Sequence, residues 1–128
     1  MKKHLLLAGG GHAHLAVLHA VIHRRFEDWH VSLISPARYQ IYSGMLPGWL
    51  AGHYDLAQCR IDLQSLASAA GIKFVLAKVI QLDAAQQVAR LSSGQQLSYQ
   101  LLSLDIGSES PIAELQPLAG RLLPIRPI

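Results

Sequence analysis

The chain carries a single cysteine, Cys59, in 128 residues. That scarcity excludes an intrachain disulfide framework, a CxxC redox pair and a cysteine-rich zinc site, and it suits a reducing, cytoplasmic setting. Charge is also sparse: 15% of residues are Asp, Glu, Lys or Arg, with a net charge of +3 and the basic residues scattered. A balance so weak and dispersed gives no footprint for nucleic acid, although it tolerates an anionic ligand. Long hydrophobic runs are missing as well. The longest candidate, 66–80, is cut by Lys73 and Lys78 and falls short of a membrane span. Met1-Lys2-Lys3 and the leucines after them have the outline of a secretory signal, but three glycines and His12, His14 and His19 interrupt the apolar stretch a signal needs. With 51% hydrophobic residues, the chain is expected to fold as one α/β domain around a buried core.

The stretch LLLAGGGHAHLAVL, residues 5–18, sets three glycines between two different hydrophobic patterns. The preceding run is short, continuous and apolar, as in a parallel strand buried on both faces. After the glycines, Leu15, Leu18 and Ile22 recur at helical spacing, with Val17 and Val21 widening the stripe. HVSLIS, residues 30–35, reads as a second strand ended by Pro36. Strand, glycine turn, helix and strand together make a βαβ unit.

Further parallel strands are expected at 73–80 and 101–106, beside those at 3–8 and 30–35. A helix should start at Asp62 and end at Gly71, and an antiparallel hairpin over 87–99 should turn at Ser93-Gly94. Residues 36–60, punctuated by prolines and glycines but rich in aromatics, read as a long ordered loop. The prolines after Ser110 suggest an irregular exit.

Gly9 and Gly11 occupy the first two positions of a G-x-G-x-x-G pattern, and His14 stands where the third glycine belongs. The first glycine serves the tight turn. The second lets the backbone approach a pyrophosphate at the helix N-terminus, and the third serves close packing of helix on strand. A glycine turn that serves only the fold is the competing reading. An acid usually closes the second strand and holds the ribose; here Ser35 stands there, with Arg38 close behind. That pair suits a 2′-phosphate too, so the pattern by itself leaves NADP open. His12, His19 and His23 could share a helix face, but no zinc-protease arrangement accompanies them, and no bound metal is expected. No G-x-S-x-G is present, the carboxylates Asp55, Asp62, Asp83 and Asp105 are dispersed, and no catalytic residue can be named.

Three stretches together carry a resemblance: LLLAGGGHAHLAVL, VSLISPARYQIYSGMLPGWLAGHY and LSYQLLSLDIGSESP. They resemble the FAD-binding part of FAD-dependent pyridine nucleotide-disulfide oxidoreductases. The branch they are most similar to is that of type II NADH dehydrogenases, which includes flavoprotein domains fused to selenide, water dikinase. The resemblance implies a Rossmann-like FAD-binding domain over 1–110, with 111–128 as a crossover toward an NAD(P)H-binding domain. The pyrophosphate would lie against Gly9, Gly11 and the amides of His12 and Ala13. The adenosine ribose would lie by Ser35, Pro36 and Arg38, and the adenine by the backbone of Lys78 and Val79. Ser43, Gly44 and Met45 would lie towards the flavin, and Gly107-Ser108 would close over the cofactor. The hairpin corresponds to a small β-meander that a plain NAD(P) domain lacks, which favours FAD.

The implied function is hydride transfer from NAD(P)H through FAD to an acceptor such as a quinone, in the cytoplasm or peripheral to a membrane. The alternative is a non-catalytic, NADP-type nucleotide-binding or regulatory module. Members of the family are far longer, so the chain is expected to be the first part of such an enzyme, inactive alone and prone to form a homodimer.

Overall fold

The structure is a computed structural model that describes residues 2–107. Its centre is a parallel sheet of β1 (Lys3–Ala8), β2 (Trp29–Ser35), β5 (Lys73–Leu76) and β9 (Leu101–Leu104), in the spatial order β5-β2-β1-β9. Helix α1 (His12–His23) carries the chain from β1 to β2, and α3 (Leu63–Ala70) precedes β5. From β5 the chain returns across the sheet to place β9 on the other side of β1. The order of connection therefore reverses between β1 and β9.

β1 explains why the fold has three layers. Leu5, Leu6, Leu7 and Ala8 are all buried, because successive side chains point to opposite faces and both faces are covered. Leu5 and Leu7 pack with Leu18 of α1, Leu63 of α3, and Val31 and Leu33 of β2. Leu6 packs on the other face with Ile34, Ala77, Ala89, Leu91 and Tyr99. That second face is covered by a three-stranded antiparallel sheet of β6 (Val79–Asp83), β7 (Val88–Leu91) and β8 (Gln96–Ser98). Truncating Leu6, which is wholly buried between these layers, would cost about 2–5 kcal/mol.

α3 is capped at both ends. Asp62 accepts the Ser65 N–H at 3.2 Å, and at the other end Gly71 and Ile72 donate to the carbonyls of Ser68 and Ala67 in a Schellman closure.

Three expectations need correction. The strand expected over 73–80 is two strands: β5 stops at Leu76, and Val79 begins the antiparallel sheet. The break falls where Ala77 donates to the Ser35 carbonyl, and Lys78 bonds Ser92 through both its peptide groups. The last strand ends at Leu104 rather than 106, since the Asp105 backbone turns to bond the glycine segment. The segment 36–60 is structured rather than a loop. β3 (Tyr39–Ile41) pairs antiparallel with β4 (Arg60–Asp62), enclosing 3-10 turns at Ser43–Met45 and Leu56–Cys59 and the short helix α2 (Leu46–Leu50). The expected hairpin is found as β7 and β8, with β6 as a third strand. Ser108 and the expected crossover over 111–128 lie outside the described residues. No helix among the described residues is long and apolar enough to cross a membrane.

Candidate functional site: the glycine turn

Backbone hydrogen bonds run in a row along the carboxyl ends of the four parallel strands. Asp105 donates to the Ala8 carbonyl at 2.8 Å, Gly9 to Ile34 at 2.7 Å and Ala77 to Ser35 at 2.9 Å. The row places the glycine turn at the crevice between β1 and β9, where the connection order reverses. Ligands of open α/β sheets bind at such a crevice.

Two glycines are required there for different reasons. Gly9 has φ +101°, and a side chain on it would drive into the backbone of Asp105 and Ile106. Gly11 has extended backbone angles, and a Cβ on it would strike the carboxylate of Asp105. Asp105 was only one of several dispersed carboxylates in the sequence, yet it organises the turn. Its carbonyl accepts the Gly11 N–H at 3.2 Å, and its Oδ2 accepts the His14 N–H at 3.1 Å. The signal that could have found it is its place at the end of the strand flanking the glycine turn.

Since Asp105 takes the third amide of α1, the first two, from His12 and Ala13, have no hydrogen-bond partner among the described residues. Both residues are exposed. Unpaired amides at the positive end of a helix dipole suit an anion. The donor set therefore fits a pyrophosphate of the kind FAD carries, with the nearby Asp105 carboxylate opposing it.

His14 replaces the third glycine with a buried tether. Its Nδ1 lies 2.6 Å from the Gly9 carbonyl, which can only accept, so Nδ1 carries the proton. Nε2 is hydrogen-bonded to the Ser103 hydroxyl at 2.8 Å. The imidazole fills the space between helix and sheet that a glycine would close.

His12 meets Tyr42 edge to face, with ring centroids 5.4 Å apart, and this brings the turn bearing Ser43, Gly44 and Met45 beside the start of α1. The other expected residues line the same edge of the sheet with some of their groups engaged. The Ser35 hydroxyl is buried, donating to the Ala37 carbonyl at 2.8 Å and accepting the Ala37 N–H at 3.3 Å. Pro36 is exposed. Arg38 grips Asp62 with two bonds, Nε to Oδ1 at 3.0 Å and a terminal nitrogen to Oδ2 at 2.7 Å. That guanidinium holds the Asp62 carboxyl well below the usual carboxylate range, helped by the Ser65 hydroxyl and N–H and opposed by desolvation. The Lys78 N–H and carbonyl both bond Ser92, and Val79 pairs with Leu91. Gly107 is exposed. No group of three or more metal-ligating side chains gathers among the described residues.

The strand order and the glycine turn define a Rossmann-like α/β fold. No protein-family model matches the chain, and no curated protein matches its sequence. Solved structures do match in fold. The sulfide:quinone oxidoreductase of the hyperthermophilic bacterium Aquifex aeolicus is similar with a TM-score of 0.75 and 22% identity, over 85% of this chain and 25% of that one. NDH2 from Plasmodium falciparum, solved in complex with NADH, matches with a TM-score of 0.72 and 15% identity, over 88% of this chain and 24% of that one. NADH:rubredoxin oxidoreductase from Clostridium acetobutylicum matches with a TM-score of 0.67 and 19% identity, over 86% and 29%. The chain thus spans about a quarter of the length of these oxidoreductases.

Proposed function

We propose that this chain is the FAD-binding part of an NAD(P)H-dependent flavin oxidoreductase of the type II NADH dehydrogenase-like branch. In the intact protein, hydride passes from NAD(P)H through FAD to an acceptor such as a quinone. The observation that carries this reading is the pair of unpartnered amides, His12 and Ala13, at a glycine turn in the crevice between β1 and β9. The fold shared with three oxidoreductases of NADH or quinone chemistry supports it.

FAD supplies the hydride-accepting ring, and the chain's own residues hold its other end. Gly9, Gly11 and the amides of His12 and Ala13 would take the pyrophosphate. Ser35, Pro36 and Arg38 would flank the ribose, Lys78 and Val79 the adenine. Ser43, Gly44 and Met45 would face the flavin, and Gly107 and Ser108 would close the site. The competing NADP-type module is less well supported, because the Arg38 guanidinium it would need for a 2′-phosphate is already committed to Asp62.

The test compares loss of the His12 ring alone with loss of the ring and its amide. His12 is the first residue of α1, and Gly11 before it is extended at ψ 175°. Proline is tolerated at such a position and requires such a predecessor. His12→Pro should therefore weaken FAD binding, read by flavin fluorescence, with an unchanged melting temperature, whereas His12→Ala should retain affinity. Equal FAD affinity in His12→Pro and wild type would refute the pyrophosphate assignment.

A further inference from the structure

On the exposed face of α1, away from the glycine turn, His19 and His23 are one helical turn apart. Their Nε2 atoms approach to 3.2 Å, with ring centroids 4.5 Å apart and planes at 65°. Imidazole nitrogens bind borderline divalent metals at about 2.0–2.1 Å, so a 3.2 Å separation subtends about 100° at a shared ion. That angle lies between the octahedral and tetrahedral values for neighbouring ligands. We propose that His19 and His23 form a two-histidine chelate for a divalent transition-metal ion, with water completing the coordination.

The backbone holds the two rings ready. Leu18 and Val21, on the opposite face of the same turns, are buried in the core, so this part of α1 cannot fray without exposing them. Little ordering is left to be done on binding, which is what raises the affinity of two linked ligands over one. In the metal-free pair one Nε2–H donates to the other ring. Binding moves that proton to Nδ1 of the same ring, leaving both Nε2 lone pairs for the ion. With two neutral nitrogen ligands and no carboxylate in the pair, the site selects by ligand type. Cu²⁺ should bind more tightly than Ni²⁺, and Mg²⁺ and Ca²⁺ should not compete. Two ligands make an exchangeable site rather than a structural one, since structural zinc sites use four.

The experiment is calorimetric titration of the 128-residue chain with NiCl2 and, separately, CuCl2. Wild type is compared with His19→Ala, His23→Ala and the double variant. Alanine favours helix at both positions, and far-UV circular dichroism confirms that α1 is kept. Wild type should bind one Ni²⁺ at least about tenfold more tightly than either single variant, and the single variants should match the double. Single variants that bind as tightly as wild type would overturn the chelate. So would tight binding that survives in the double variant, which would place the ion elsewhere.

Discussion

His14 Nε2 stands 2.8 Å from Ser103 Oγ, a bond that spans 89 residues and ties the first turn of α1 to β9. The same ring holds the Gly9 carbonyl, so one buried side chain joins the glycine turn to both strands of the crevice.

His14→Ala should therefore destabilise the chain by about 2–4 kcal/mol, combining the buried Gly9 carbonyl and the part-buried Ser103 hydroxyl left without this partner and a cavity of imidazole size. His14→Gly would complete the G-x-G-x-x-G pattern, yet it should be no better, because the helix–sheet spacing is set for a ring. Urea denaturation measures both. A His14→Gly variant as stable as wild type would mean that the ring is dispensable filler.

The glycines differ in what they protect. A Cβ on Gly9 meets the Asp105 backbone, which cannot move without distorting β9, whereas a Cβ on Gly11 meets only the Asp105 carboxylate, which can rotate away. Gly9→Ala should thus cost more stability than Gly11→Ala. Asp105→Ala should relieve the second and leave the first unchanged. A double-mutant cycle of thermal unfolding gives the coupling directly; near-zero coupling between Gly11→Ala and Asp105→Ala contradicts the packing described. Gly11→Val, which brings more bulk to the turn, should abolish FAD binding while circular dichroism shows the fold largely kept.

What could be read in the sequence divides along the range of the interactions involved. β1, the glycine turn, α1 and β2 follow one another locally, and their hydrophobic periods change at Gly9 and Gly11, so the βαβ unit was legible. α3 was legible for the same reason, with Asp62 and Gly71 marking its ends. β3 and β4 were not. Each is three residues long, too short to establish a period, and Tyr39 finds Asp62 only across the intervening helical turns. The break after Leu76 carries no glycine or proline, and it exists because Ala77 and Lys78 find partners in Ser35 and Ser92. Asp105 and His14 were visible as residues, but their roles depend on each other and on Ser103. Gly9 and Gly11 stand out by the motif, whereas His12 and Ala13 are named only through the family resemblance. That Ser35 and Arg38 are already engaged could be learned only from the fold.

Arg38 and Asp62 give stability a pH dependence with a definite sign. The folded-state pKa of Asp62 is depressed, first by the Arg38 hydrogen bond and then, less, by Ser65, so folded chains bind fewer protons than unfolded ones in the acid range. The contribution is complete above about pH 5 and is lost as the pH falls below about 4. The pair is largely exposed, so the effect is modest and screened by salt. Asp62→Asn keeps an acceptor for the Ser65 N–H but loses the charge. It should be less stable than wild type at pH 7, and the gap should narrow progressively as the pH falls from about 5 toward 2 in chemical denaturation. No gap at pH 7 would show that the capping bond, which Asn retains, carries the contribution rather than the ion pair.

The described surface presents the unpartnered amides of His12 and Ala13, but apolar residues of α2 and β9 are open to water. Trp49 and Leu50 of α2 are exposed, and so are Leu101 and Leu104 of β9 and the following Ile106. β9 is also an edge of the parallel sheet, with its outer row of peptide groups unpaired among the described residues. A flavin ring held only by the turn at Ser43–Met45 would remain largely in solvent, while the exposed apolar groups favour self-association. The isolated chain should accordingly bind FAD weakly, show no NAD(P)H oxidase activity and form dimers as concentration rises. Substituting lysine for Leu101 and Leu104 should shift that equilibrium toward monomer. Fluorescence titration with FAD, an NADH oxidation assay and sedimentation velocity test the three parts separately. Tight one-to-one FAD binding with NADH turnover would mean that these residues alone build a complete flavin pocket, and that the division of the cofactor between this chain and further protein is wrong.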